Sequence, residues 1–143
     1  MAADLRSAGD APAVVLGADT EVVLDGRLLG KPRDPADAVR MLALLRGRTH
    51  EVITGLAVVE VGSPGPALPQ ETAAVTSRVR MADYSDADIE RYVATGEPLD
   101  KAGAYAVQGL GGRLVASVDG CLTNVIGLPL TTTRALLERR GLL

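Results

Sequence analysis

The feature that most constrains this chain is an apolar run that meets an acid. Ala13-Val-Val-Leu-Gly-Ala18 reads as a buried strand, and it delivers the carboxylate of Asp19 at its end. A second short apolar run, Val22-Val-Leu24, precedes the turn signal Asp25-Gly26, and Arg27-Leu-Leu29 then brings Lys31 back towards the same edge. An acid and a cation on one rim suit phosphate chemistry. A carboxylate holds a divalent cation or takes a proton from water, and an ammonium neutralises phosphate oxygens. Read alone, the same residues also fit a turn-capping acid and a solvated lysine before Pro32, the commoner fate of such side chains.

The rest of the chain alternates between helical and extended patterns. Asp34-Pro35-Ala-Asp37 supplies a cap, a proline at the first helical position and a first-turn acid, and it opens an apolar periodicity at Ala38, Met41, Leu42 and Leu45. The spacing predicts a helix to about residue 45, stopped before Gly47. The β-rich stretch from Glu51 to Val61 reads as a central strand, with Gly55 marking a bulge or a close backbone contact. After a loop from Gly62 to Pro69, alternation from Glu71 to Met81 predicts a second strand paired with it as a hairpin. Ser85-Asp-Ala-Asp88 resembles a capping box, for a helix that stops at Thr95-Gly96. Arg113-Leu-Val-Ala-Ser-Val118 reads as a strand that turns at Asp119-Gly120. A last helix runs from Leu130 to about Arg140, with Leu136 and Leu137 facing the core. The pattern predicts an α/β class, a single domain around a mixed β-sheet.

Composition removes several function classes. With 143 residues the chain suits one domain that buries roughly two-thirds of its unfolded surface. No apolar run approaches the roughly 18 residues of a membrane span, and the start does not read as a signal peptide, so a soluble, cytoplasmic protein is expected with no membrane partner. A net charge of -3, no Phe or Trp and three Tyr argue against a nucleic-acid surface. The single cysteine, Cys121, reads as a small buried hydrophobe. The single histidine, His50, fits packing or a turn better than proton transfer.

A second cluster, Glu97-Pro-Leu-Asp100-Lys101-Ala-Gly-Ala-Tyr105-Ala-Val-Gln108-Gly109, sets an acid and a cation beside glycines that let backbone amides approach a ligand. Its Gln can both donate and accept, which suits a nucleotide base. Taken alone, such glycines also mark a tight turn and Asp100-Lys101 a solvated pair. Taken in order, Gly17-Ala-Asp-Thr20, Gly30-Lys-Pro32, Gly47-Arg-Thr-His-Glu-Val52 with Thr54-Gly55, Asp100-Lys-Ala-Gly-Ala-Tyr105 with Gln108-Gly109, and Asn124-Val-Ile-Gly-Leu-Pro129 closely resemble the Maf family of nucleoside triphosphate pyrophosphatases. The resemblance runs from about Ala13 onward.

That resemblance implies a Maf/ITPase-like fold and an enzyme that hydrolyses dTTP, UTP or modified nucleoside triphosphates to the monophosphate and pyrophosphate. It implies a divalent cation, Mg²⁺ or Mn²⁺, held at Asp19, with Asp19 also the proton acceptor. Lys31 and Lys101 would face phosphates, and Thr20 and Gln108 would bear on base selection. The dTTP/UTP branch fits the forms Ala-Asp-Thr and Gln-Gly. Family members are often homodimers and are linked to arrest of septum formation. They begin with a strand and a phosphate-gripping Ser-x-Ser-Pro-Arg-Arg loop that the sequence before Ala13 does not contain, so the expected fold lacks both. Cys121-Leu-Thr123 departs from the family pattern near the site. The rival reading is a non-catalytic nucleotide-binding or cell-division regulatory module built on the same fold.

Overall fold

Every second residue of the long central run points inward, and this alternation organises the molecule. The computed structural model describes residues 12–62 and 69–143. The segment ahead of Pro12 and most of the loop after Gly62 lie outside the described residues. The frame is a sheet of five strands: β1 (Ala13–Leu24), β2 (Arg27–Leu29), β3 (Thr49–Val61), β4 (Glu71–Met81) and β5 (Val115–Asp119), in the order β2-β1-β3-β4-β5. Helices α1 (Pro35–Leu45), α2 (Asp86–Ala94), α3 (Leu122–Ile126) and α4 (Leu130–Glu138) complete it.

The α/β class is as expected, with a difference in the sheet. All four pairings among the described residues are antiparallel, where the sequence pattern suggests a mixed sheet. The reason lies in the crossover. α1 joins β2 to β3, which run the same way, but β1 lies between them, so their parallel relation never becomes a hydrogen-bonded pairing.

On β3 the side chains of His50, Val52, Leu56 and Val58 are buried on one face, with Thr54 among them. Two apolar clusters form there. Leu42 and Leu45 of α1 and Ile89 of α2 pack on Val22, Val52, Val79 and Met81, while Leu136 of α4 packs on Leu56 and Val58. Leu136 is fully buried, whereas Leu137, expected beside it, is only half-buried. Between the clusters the same face carries a polar band of Thr54, Ser77 and Asn124, each at most 1% exposed.

Three further expectations change. Gly55 lies in unbroken register between Asp19 and Ala74, with no bulge, and a Cβ there would meet nothing within 4 Å. β5 starts at Val115 because Leu110–Leu114 form a tight 3₁₀ turn. α3 is too short for its apolar spacing to register as a helix, and Cys121 at its start is half-buried, not buried.

α1 begins as its sequence dictates. The Asp34 carboxylate accepts from the Asp37 amide at 2.7 Å, and Pro35 occupies the first turn. Asp37 accepts from the Arg33 side chain at 3.2 Å and from Arg40 at 2.8 Å. The hydrogen bonds from Arg33, with those from Arg40, hold its carboxyl well below the usual carboxylate range. A depressed acid stabilises the fold above its unfolded value of about 3.9, and that contribution disappears as pH falls through the folded value. Urea melts of the wild type and Asp37→Asn should therefore differ at pH 7, with the gap narrowing progressively as pH falls below ~4. An unchanging gap between pH 7 and pH 2 would show that the charge on Asp37 is not what matters.

Candidate active site

β1 does not end at Asp19; it runs on to Leu24. Residues 21–24 keep an extended pattern because β3 pairs with one side of them and β2 takes the other side of Val22, Val23 and Leu24. β2 covers no more than that. Among the described residues, the outer edge of β1 is therefore open beside Asp19 and Thr20. Asp19 is exposed on the outer face opposite Gly55, while Thr20 is half-buried on the inner face opposite Thr54. The only bond to the Asp19 carboxylate among the described residues is its own neighbour's: the Thr20 amide donates to Oδ1 at 3.0 Å.

The glycine-rich cluster is pinned to this edge by close backbone contacts. The Gly103 amide donates to the Gly30 carbonyl at 3.1 Å, which locks the loop bearing Lys31 to the turn bearing Lys101. Gly103 has φ 71°, and a Cβ there would sit 3.0 Å from Val22 Cγ1, so no larger residue fits without moving β1. Ala104 follows with φ 62°, a left-handed alanine that is fully buried. Tyr105 then anchors the turn in the core, its hydroxyl 2.7 Å from His50 Nε2.

Lys101 Nζ donates to Asp100 Oδ1 at 2.7 Å. The hydrogen bond and charge of Lys101, with a smaller contribution from Lys31, hold the Asp100 carboxyl below its ordinary range. Asp100 thus feels both lysines at once. Further along, Glu97 Oε2 accepts from the Gly111 amide at 3.0 Å and Tyr92 Oη accepts from the Ala106 amide at 3.2 Å. These two contacts shape the loop that carries Gln108.

All of these elements face one cavity of about 580 Å³. Its walls include Asp19, Thr20, Lys31, Lys101 and Gln108, every one of the sequence-predicted site residues. The sequence reading gave no role to Glu97 or to Thr54. The signal for Thr54 was available: it is the lone hydroxyl in the inward-facing series His50, Val52, Thr54, Leu56 and Val58. Glu97 left no such trace, since its partner is a backbone amide. Cys121 acts through its main chain, whose amide and carbonyl both bond Ser77 Oγ, while Thr123 lowers the thiol pKa by a hydrogen bond.

A family model described as Maf-like protein matches residues 1–140. The chain is 52% identical over 132 residues to the dTTP/UTP pyrophosphatase of Dictyoglomus turgidum, covering 90% of this chain and 65% of that protein. It is 57% identical over 129 residues to the dTTP/UTP pyrophosphatase of Anaeromyxobacter dehalogenans strain 2CP-C, with coverage of 90% and 65%. Over 135 residues it is 54% identical to the dTTP/UTP pyrophosphatase of Moorella thermoacetica, with coverage of 94% and 68%. The chain spans 65% of the length of the first two of these curated relatives and 68% of the third.

His50 offers a direct check on the anchor beneath the cavity. Burial lowers its pKa to about 4, so the imidazole stays neutral in the fold. Because the unfolded value is about 6.5, this group adds stability above pH ~6.5 that is lost progressively as pH falls towards the folded value. The chain has one histidine, so its imidazole NMR signal needs no variant to assign. The signal should stay flat from pH 8 to about 5 and move only near pH 4. Titration near 6.5 would mean that water reaches the ring and that Tyr105 does not seal it.

Proposed function

This chain belongs to the Maf family, and on that premise we propose that its cavity hydrolyses a nucleoside triphosphate, dTTP or UTP, to the monophosphate and pyrophosphate. The observation that carries the proposal is the convergence of Asp19, Thr20, Lys31, Lys101 and Gln108, drawn from three separate stretches of sequence, on one cavity. Two cations and a weakly engaged carboxylate are what the reaction requires. Water must attack the α-phosphorus while the bond to the β-phosphate oxygen breaks and pyrophosphate leaves.

Asp19 takes the proton of the attacking water. Its Oδ2 has no bond among the described residues, and its exposure lets water reach it. Lys101 commits one of its three N–H donors to Asp100 and keeps the others for phosphate oxygens. Lys31, on the loop locked to Gly103, adds the second positive charge. Thr20 and Gln108 meet the base.

The acids present fit a divalent cation carried by the nucleotide better than a protein-only cage. Among the described residues no three His, Cys, Asp or Glu side chains cluster to hold a metal. Of the cavity's acids, Asp100 pairs with Lys101, while Glu97 and Asp19 each accept one backbone amide, that of Asp19 coming from its own neighbour Thr20. One carboxylate together with phosphate oxygens is a common way to hold Mg²⁺. Asp19 would help hold Mg²⁺ or Mn²⁺, which would supply neutralisation of charge on the phosphates.

No helix among the described residues is long and apolar enough to cross a membrane. A cytoplasmic setting, a homodimer, a link to septum formation and the absence of nucleic-acid or membrane partners accompany the proposal as expectations.

Asp19→Asn keeps the shape of the side chain and removes its basicity. It should lower pyrophosphate release from dTTP and UTP by about 10²- to 10⁴-fold while leaving the thermal midpoint near that of the wild type. Unaltered release would remove Asp19 from the mechanism.

A further inference from the structure

The polar band behind the cavity fixes where hydroxyl protons point. Thr54 Oγ1 lies 3.0 Å from the Asn124 carbonyl oxygen, and a carbonyl can only accept, so the one Thr54 proton is spent there. Thr20 Oγ1 lies 2.8 Å from Thr54 Oγ1. With the Thr54 proton already used, Thr20 must be the donor of that bond. The hydroxyl of Thr20, a residue that lines the cavity, therefore has only lone pairs left to offer a ligand.

The order is held from behind. Asn124 Nδ2 donates to the Val52 carbonyl at 3.1 Å and to Ser77 Oγ at 2.9 Å, so α3 cannot rotate away from β3 and β4 without breaking buried bonds. The Gly127 amide also donates to the Asn124 carbonyl, and a Cβ at Gly127 would come within 3.5 Å of Thr20 Oγ1. Both sides of the Thr20 hydroxyl are thus set by α3 and the residue that ends it.

We propose that Thr54 and Asn124 are positioning residues for base choice: they make Thr20 an obligate acceptor, which admits the N3–H of uracil or thymine and rejects the N3 lone pair of cytosine. Of the polar atoms on the uracil edge, only N3–H is a donor, so an acceptor-only hydroxyl pairs with that edge only there. Cytosine carries an acceptor at the same atom, and two acceptors face to face leave both unpaired; its one donor on that edge, the N4 amine, sits a position over, where uracil has a carbonyl. The Gln108 amide, with a donor and an acceptor, then serves a neighbouring carbonyl. The inference rests on the proposed nucleotide site.

Binding of UMP and CMP to the whole chain, measured by calorimetry, tests it without requiring catalysis. Wild type should prefer UMP. Thr54→Val keeps the shape but frees the Thr20 proton to turn towards the cavity, and should cut the UMP-over-CMP preference about tenfold. Thr54→Ser restores the hydroxyl and should restore the preference, which a purely structural role for Thr54 would not predict. An undiminished preference in folded Thr54→Val, or an equal loss in Thr54→Ser, overturns the inference. If wild type binds both nucleotides equally, the inference fails and the nucleotide site stands; if it binds neither, both fail. A check without any variant is the hydroxyl proton spectrum of the wild type. It should show a slowly exchanging Thr54 proton coupled to the Asn124 carbonyl carbon, and a Thr54 proton without that coupling would overturn the proposed order.

Discussion

Everything around the cavity depends on one buried amide, that of Asn124. The inner face of the sheet is apolar at both ends, and a helix on hydrophobic contacts alone could slide along it. The band of Thr54, Ser77 and Asn124 removes that freedom. Ser77 is fully used: its proton goes to the Cys121 carbonyl, and its oxygen accepts from the Cys121 amide and from Asn124 Nδ2. Thr54 and the Asn124 main-chain carbonyl are likewise committed, while Asn124 Oδ1 is buried without a partner among the described residues. Shifting α3 would leave several buried donors without acceptors, at about 1–3 kcal/mol each, which is more than a repacked apolar contact commonly costs. A five-residue helix with no side-chain cap is therefore held by its neighbours, not by its own propensity.

The charges on the other wall follow a different logic. Exposed ion pairs add little to stability, so the Asp100–Lys101 pair matters for where it puts its charges. Asp100 lies within the field of both Lys31 and Lys101, and a carboxylate between two ammonium groups lets them share a wall that they would otherwise repel each other from. Under the proposed function an arriving triphosphate would replace part of that role. Such a wall exists only because Gly103 lies against Val22 and Ala104 adopts a left-handed backbone, a local conformation held by the buried Tyr105–His50 contact.

Local rules made much of this legible in advance. The cap and proline at Asp34-Pro35 placed α1, the Ser85–Asp88 box placed α2, a β-rich run placed β3 and period-two alternation placed β4. The five site residues were legible only as ordered motifs, since each alone reads equally well as a turn or a surface charge. What stayed hidden depends on partners distant in sequence. Asp19 looked like a strand end because an acid follows an apolar run, but its strand continues where β3 and β2 supply hydrogen bonds. Gly55 looked like a bulge because glycine weakens a strand; it lies instead on the open face opposite Asp19. The antiparallel pairing of the whole sheet could not be read because the α1 crossover reveals a parallel relation without revealing that β1 intervenes.

The position of Asp19 within a strand, rather than after it, has a consequence for the site. Neighbouring residues on a strand point to opposite faces, so Asp19 and Thr20 present a carboxylate and a hydroxyl on the two sides of β1. A single ligand can reach both only by wrapping around the strand's edge, and among the described residues that edge is not covered by β2, which stops at Leu29. Gly30-Lys31-Pro32 ends it: Pro32 has no amide to donate to a ladder, and the Gly30 carbonyl is spent on Gly103. The nucleotide proposed above, long and polar along its whole length, suits that shape.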